Sequence, residues 1–129
     1  MEGGKMNKIP SDEEFANAKR RMRELDRNMN QISENTRRYF AEICPDHSHN
    51  AFVLAEAEGK FRVYLFYKRN AHIQSCGDSG VPQKMADFVL TQLEKCGRGR
   101  REDIKVTFEF DSDENVAANY EGDYFLRLR

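Results

Sequence analysis

Apolar residues recur with a seven-residue period in the N-terminal third of the chain. Two interleaved series keep this register: Phe15, Met22, Met29, Thr36 and Ile43, and, three positions after the first four of these, Ala18, Leu25, Ile32 and Tyr39. The alternating steps of three and four residues place both series on one narrow face of an α-helix, as at the core positions of a coiled coil. The pattern therefore predicts a long amphipathic helix that buries one stripe of side chains.

Both ends of this helix have recognisable signals. Ser11 is a favourable N-cap residue, and Glu14 three positions later completes a capping box. Pro45 disfavours helical geometry at the residue before it. We expect a helix over residues 12–43, either continuous or with one break near residues 28–35, where asparagines and a serine lower the helix propensity.

A helix of this length extends beyond the domain that carries it. At 1.5 Å per residue it would be roughly 48 Å long. The radius of gyration expected for a compact chain of this length is only about 14 Å. Because such a seam is buried best against a second helix, we expect a homodimer. The residues of the expected dimer seam are Met22, Leu25, Met29 and Ile32.

Alternation of apolar and polar positions predicts strands after residue 50. Residues 51–57 and 60–67 are expected to form a hairpin around Glu58 and Gly59. Both faces of the second strand carry large apolar side chains, so we expect this strand to be central and covered on both sides. Further strands are expected at residues 71–76, 104–110 and 124–128.

A second helix is expected between the third and fourth strands. Pro82 suits a first helical turn, apolar residues follow at helical spacing, and Gly97 ends the segment. Residues 111–114 are expected to turn and lead into a short helical piece through residue 118. The order α-β-β-β-α-β-β predicts an α+β fold, with a mostly antiparallel sheet of about five strands and the second helix packed on it. We expect one domain over residues 11–129, after a disordered segment over residues 1–10.

Composition narrows the class of protein. The 21 Lys and Arg residues nearly balance the 22 Asp and Glu residues, which gives a net charge of −1. This balance argues against a general nucleic-acid binder but is compatible with a local basic patch. The chain has no membrane-length apolar run and no secretion signal at its start. The 3 cysteines are an odd number without close pairing. We therefore expect a cytoplasmic protein with reduced thiols.

Two short motifs suggest chemistry that their context does not support. Residues 77–82, Gly-Asp-Ser-Gly-Val-Pro, are similar to the nucleophile segment of trypsin-like proteases. They depart from it at Val81, and the chain is too short for the two barrels that such an enzyme needs. We interpret them as a loop that caps the second helix. Asp111, Asp113 and Asn115 match the first ligands of a Ca²⁺ loop, but the required glycine and glutamate are absent.

The histidine and cysteine residues are candidates for catalytic or metal-binding groups. On a strand, His72 and Cys76 would lie ~13 Å apart, too far for a nucleophile and its base. Cys44, His47 and His49 occur within six residues, whereas a structural zinc site needs four ligands, usually in two clusters. The other candidate ligands, His72, Cys76 and Cys96, are scattered singly along the sequence. We therefore predict a polar loop at residues 44–49, and neither catalytic residues, a metal nor a cofactor.

Charge is distributed unevenly along the chain. Residues 109–123, called the acidic segment below, contain no Lys or Arg. The candidate partner-binding residues of this segment are Asp111, Asp113, Glu114, Glu121 and Asp123. Basic residues cluster on the first helix and after the second: Lys19, Arg20, Arg21, Arg23, Arg27, and Lys95, Arg98, Arg100, Arg101, Lys105. The acidic segment is either ordinary solvated surface or a face that docks a basic partner and steers its approach.

Two parts of the chain are similar to small bacterial immunity proteins of polymorphic-toxin systems. These parts are residues 63–67, Val-Tyr-Leu-Phe-Tyr, and residues 108–116 continuing through Gly122-Asp123-Tyr124-Phe125. Such proteins are single α+β domains that bind and neutralise a secreted toxin, often a nuclease. The resemblance implies a protein partner and brings no catalytic residues with it. The alternative hypothesis is a dimeric nucleic-acid-associated or regulatory adaptor, which the basic side of the first helix favours.

Overall fold

The computed structural model describes residues 11–129 and contains six α-helices and three strands. The segment predicted to be disordered, residues 1–10, lies outside the described residues. The helices are α1 (Asp12–Asp26), α2 (Met29–Ile43), α3 (Asn70–Gly77), α4 (Val81–Lys95), α5 (Asp113–Asn119) and α6 (Tyr124–Leu128). The strands are β1 (Ser48–Ala57), β2 (Lys60–Tyr67) and β3 (Lys105–Ser112), and a short 3-10 helix covers Arg101–Asp103.

The long N-terminal helix is divided into α1 and α2. Asn28 has a left-handed backbone with φ of 65°, so the helix ends before it and restarts after it. Of the two predicted alternatives, a continuous helix or one break near residues 28–35, the structure has the break. The predicted capping box is present, with Ser11 Oγ accepting a hydrogen bond from the Glu14 N–H group and Glu14 accepting one from the Ser11 N–H group. At the other end of α1, the guanidinium of Arg98 donates to the carbonyl oxygens of Leu25 and Arg27, at 2.6 and 2.7 Å.

The sheet has the order β1-β2-β3. β1 and β2 form the predicted hairpin, in which Gly59 takes the positive φ of 76° that the turn requires. β2 is central, as predicted. The prediction of about five mostly antiparallel strands is wrong, because β2 and β3 pair in parallel and the described residues contain only three strands. The connection from β2 to β3 runs through α3 and α4, and a long crossover of this kind joins parallel strands.

Two segments predicted as strands are helices. Residues 71–76 belong to α3, which packs against β3 and α4 and buries Cys76. Residues 124–128 form α6, where the side chain of Asp123 caps the first turn by accepting hydrogen bonds from the N–H groups of Phe125 and Leu126. Tyr124 and Leu128 are four residues apart and therefore lie on one face of α6, where both pack against the sheet.

The two faces of the sheet carry separate hydrophobic clusters. α2 and α4 cover one face, and the buried residues there include Ile32, Phe40, Val53, Val63, Leu65, Met85, Val89 and Leu93. α5 and α6 cover the other face, where Tyr64, Phe66 and Val116 are buried with Tyr120, Tyr124 and Leu128 around them. The second cluster fixes the position of the acidic segment relative to the sheet.

Candidate interaction surface

The acidic segment runs from the end of β3 through α5 to the start of α6. Asp111 lies at the end of β3 and is largely buried, with 10% of its side chain exposed. Its carboxylate contacts the guanidinium of Arg127, whose side chain is 16% exposed. It also accepts a hydrogen bond of 2.9 Å from the Asn115 side chain and one of 2.8 Å from the Ser112 N–H group. This carboxylate therefore connects the end of β3 to Asn115 on α5 and to Arg127 on α6.

Arg127 joins Asp111 to a row of charges across the sheet. Glu109 on β3 accepts hydrogen bonds from Arg127 at 3.1 Å and from Arg62 on β2 at 2.7 Å, and Arg62 also pairs with Glu56 on β1. Burial alone would lower the pKa of Arg127, but the hydrogen bonds to Asp111 and Glu109 outweigh it and raise the pKa above its ordinary value. Alternating charges thus link all three strands on this face.

Asp113 accepts a hydrogen bond from the hydroxyl group of an aromatic residue. The hydroxyl of Tyr124 donates a hydrogen bond of 2.6 Å to Asp113, and His49 Nε2 lies 3.2 Å from the same oxygen. Burial, followed by this hydrogen bond, raises the pKa of Tyr124. Asp113 remains 42% exposed at its side chain, so one edge of the carboxylate is available to a partner.

Two further carboxylates of the acidic segment bind backbone groups. Glu114 Oε1 accepts a hydrogen bond of 2.9 Å from the N–H group of Asn70, which holds the start of α3 against α5. Asp123 caps α6, as described above. Glu121 is exposed in a left-handed backbone conformation with φ of 55°. Four of the five predicted partner-binding residues therefore also have a role in the fold, which the sequence pattern did not indicate.

The structure adds an aromatic residue that the sequence analysis missed. Phe125 on α6 is 85% exposed, the largest exposure among the large apolar residues in the described part of the chain, and its neighbour Leu126 is also exposed. Both follow Glu121 and Asp123 closely in sequence. A strand prediction for residues 124–128 gives no reason to single out Phe125. The cap at Asp123, which starts a helix and turns Phe125 outward, was the signal that could have identified it.

The predicted dimer seam is split between the core and the surface. Met29 and Ile32 are buried in the protein's own core. Leu25 is partly buried, whereas Met22 is 64% exposed and Phe15 is 58% exposed on α1, a helix that buries none of its residues. The described residues therefore leave only the α1 part of the seam open to a second copy.

A groove of about 720 Å³ lies between α1, the β1–β2 turn and the segment after α4. Its apolar floor includes Ala18 and Leu25. The charged residues that line it are Arg20, Arg21, Glu24, Arg27, Glu58 and Arg98. Basic groups thus outnumber acidic ones here, in contrast to the acidic segment.

The predicted loop at residues 44–49 is shorter than expected, because Ser48 and His49 begin β1. The residues that match a Ca²⁺ loop lie on β3 and α5, whereas residues 78–80 form the loop before α4. Gly80 is the N-cap residue of α4 with φ of 87°, and Pro82 lies in the first turn, as expected for a helix-capping loop. The hydroxyl of Ser79 donates a hydrogen bond of 2.7 Å to the carbonyl of Cys76, so it is not oriented as a nucleophile. In residues 11–129, no helix combines the length and apolar character that crossing a bilayer requires.

Comparison of the whole chain with known proteins gives no further identification. No protein family, no curated protein and no solved structure matches it.

Proposed function

We propose that this protein is a non-catalytic binding protein of the immunity type, which acts in the cytoplasm and neutralises a basic protein toxin by blocking its active site. The observation that carries this proposal is the 85% exposure of Phe125, which follows the acidic residues Glu121 and Asp123 by four and two positions in sequence. An exposed aromatic side chain at the edge of a charged surface is typical of a binding hot spot.

The surrounding structure makes this surface rigid. Asp123 fixes the first turn of α6, and the Asp111–Arg127 pair holds the helix against the sheet. A preorganised surface loses less conformational entropy on binding than a mobile one. In this proposal Phe125 inserts into the partner, and Glu121, Asp123 and the exposed edges of Asp113 and Glu114 contribute negative charge to the interface.

A basic partner fits the charge of this surface. A nuclease toxin has positive charge where it binds nucleic-acid phosphates, and carboxylates can occupy the same positions. Complementary charge also accelerates encounter at low ionic strength. The proposal therefore predicts a fast association that slows as salt is added.

The test uses the protein encoded beside this gene as the candidate toxin. Co-expression of the wild-type chain should restore growth of cells that produce the candidate. Phe125→Ala should weaken the complex by about 10-fold to 100-fold, the range of a truncated interface anchor. Glu121→Lys should lower the association rate and its dependence on salt. Asp123→Asn should lower this rate while keeping the cap on α6, since asparagine caps helices as well as aspartate does.

Phe15→Ala on α1 is the matched control, because it also removes an exposed phenylalanine. It should leave binding unchanged. If a partner is found and both Phe125→Ala and Glu121→Lys bind it with unchanged rates, the interface lies elsewhere and the proposed surface is wrong.

The alternative function, a dimeric nucleic-acid-associated or regulatory adaptor, draws on the groove beside α1. Four arginines line it, namely Arg20, Arg21, Arg27 and Arg98. Binding of duplex DNA or RNA, measured by fluorescence anisotropy across a salt series, distinguishes the two functions. A strong affinity that falls steeply with salt and is lost in Arg21→Glu would favour the adaptor.

A further inference from the structure

Two cysteines meet in the core although they are far apart in sequence. Cys44 lies at the end of α2 and Cys76 in the last turn of α3, and their Sγ atoms are 3.6 Å apart. Both are buried thiols rather than a disulfide. In a tetrahedral zinc site with Zn–S bonds of about 2.3 Å, two sulfur ligands are about 3.8 Å apart. The observed separation is close to that value and well beyond the length of about 2.05 Å of a disulfide bond.

Two histidines accompany this pair of thiols. His47 follows Cys44 by three residues, and His72 precedes Cys76 by four residues on α3. The two imidazole rings stack on each other, with their centroids 3.8 Å apart. The Nδ1 atoms of both rings are buried and have no hydrogen-bond partner in the described part of the chain. Unpartnered buried nitrogen atoms are costly and call for an explanation.

We propose that Cys44, His47, His72 and Cys76 form a tetrahedral zinc-binding site. Each half contributes one thiol and one imidazole at a short spacing, Cys-x-x-His before β1 and His-x-x-x-Cys on α3. Two short-spaced halves brought together from distant parts of a chain are the usual plan of a structural zinc site. From the sequence, no metal site was predicted, because His72, Cys76 and Cys96 are scattered singly and do not form the second ligand cluster that a zinc site needs. His72 and Cys76 were also expected on a strand, where they would be ~13 Å apart. On α3 they are one helical turn apart and on the same face.

No three histidine, cysteine, aspartate or glutamate side chains within residues 11–129 already converge as metal ligands. The thiols have the required separation, and the imidazoles must rotate to join them. Each histidine is close to its cysteine along the backbone. His72 is one helical turn from Cys76, and His47 follows Cys44 in a turn where its N–H group donates a hydrogen bond of 3.4 Å to the Cys44 carbonyl.

Zinc binding also accounts for the polar groups around the thiols. As each sulfur bonds to zinc, its proton passes to solvent, so two protons leave and two thiolates balance the charge of the dication. The hydroxyl of Tyr67 is buried and has no hydrogen-bond partner in the described residues. Tyr67 belongs to the same buried cluster as Cys44 and Cys76. It can donate a hydrogen bond to a zinc-bound thiolate, as groups around metal ligands commonly do.

The test is metal binding by the full chain, purified under reducing conditions. Titration with Co²⁺ should give one bound ion per chain, with the visible absorption of tetrahedral cobalt and an ultraviolet thiolate band, and Zn²⁺ should displace it. Cys44→Ser and Cys76→Ser should each weaken binding by at least about 100-fold, since loss of even an outer-shell partner costs about 10-fold to 100-fold. Cys96→Ser is the matched control and should bind like the wild type.

The wild-type measurement decides the proposal even if a serine variant does not fold. Wild-type protein with all of its cysteines reduced that binds neither Co²⁺ nor Zn²⁺ overturns it. Metal bound equally well by Cys44→Ser, or a cobalt spectrum without thiolate absorption, overturns it as well. So does a Cys44–Cys76 disulfide in protein prepared with zinc and reductant present.

Discussion

The hydroxyl group of Ser33 makes two hydrogen bonds to the backbone of Val53. It accepts a hydrogen bond of 2.8 Å from the Val53 N–H group and donates one of 3.1 Å to the Val53 carbonyl. Both groups of Val53 point away from β2, on the outer edge of β1. Arg37 covers the same edge by donating to the carbonyl of Ala51 at 3.0 Å. α2 thus satisfies the backbone groups of an edge strand that would otherwise be open to pairing with another chain.

Ser33→Ala should lower the free energy of unfolding by about 1–3 kcal/mol, because it leaves a buried N–H and a buried carbonyl of Val53 unpaired. Urea denaturation followed by circular dichroism measures this change. Ser75→Ala is the matched control, since the Ser75 hydroxyl makes only local contacts of 3.4 Å within α3 at an exposed position. It should change the unfolding free energy by less than about 0.5 kcal/mol. Equal effects of the two substitutions would contradict the role given to Ser33.

Asp111→Ala should lower the free energy of unfolding by about 3 kcal/mol, because it leaves the largely buried guanidinium of Arg127 without one of its two carboxylate partners. Replacing both residues, as in Asp111→Ala with Arg127→Met, should recover much of this loss, since no buried charge then remains. Chemical denaturation of the two variants tests the pair. Glu121→Ala, at an exposed position in the same segment, should have little effect.

The capping box predicts a pH dependence at the start of α1. Hydrogen bonds from the backbone N–H group and then the hydroxyl of Ser11 lower the pKa of Glu14 below its ordinary value of 4.5. A lowered pKa in the folded state means that the cap contributes its stability above the ordinary pKa and loses it as the pH falls through the lowered value. NMR signals of the Ser11 and Glu14 N–H groups should report fraying of α1 in this acidic range. Glu14→Gln should remove this pH dependence.

A homodimer, if formed, must use the exposed part of the predicted seam. Met22→Asp should then shift the molar mass from dimer to monomer in light scattering, without loss of folded structure, since Met22 is 64% exposed in the single chain. Ala16→Asp, at an exposed position outside the seven-residue series, is the control and should leave the mass unchanged. A monomeric wild-type chain would refute the homodimer.

The elements with local signals could be predicted from the sequence. Ser11 and Glu14 mark the start of α1, and Glu58 with Gly59 marks the β-hairpin. α4 was predicted from Pro82 and from apolar residues at helical spacing. In each case the chemistry of a few adjacent residues favours one local structure, and the tertiary contacts of the fold favour the same structure.

The two segments wrongly predicted as strands have a spacing of apolar residues that fits both a strand and a helix. Tyr124 and Leu128 are four residues apart, a spacing that places two side chains on one face of either a strand or a helix. Residues 71–76 are too few for the two periods to be distinguished, and contacts of α3 with β3 and α4 decide the outcome. Because residues 71–76 were predicted as a strand, the crossover through α3 and α4 that makes β3 parallel to β2 was not expected. For the same reason, His72 and Cys76 were expected to lie too far apart to contact each other.

The candidate surface was predictable in its charge but not in its geometry. The sequence shows that residues 109–123 are acidic. It does not show that Asp111 is paired with Arg127, since these residues are brought together only by the packing of α6 on the sheet. Exposure of Phe125 depends on the same packing.

β2 pairs antiparallel with β1 and in parallel with β3, and this difference sets the order in which the strands pair during folding. Its contacts with β1 close only the turn at Glu58 and Gly59, whereas its contacts with β3 require the whole segment of α3 and α4 to be spanned first. The entropy of closing a loop rises with its length, so distant strand pairs form late and slow the folding rate. We expect the β1–β2 hairpin to be formed in the folding transition state and β3 to join after it. Substitutions in β3, such as Val106→Ala, should then speed unfolding and leave the folding rate nearly unchanged.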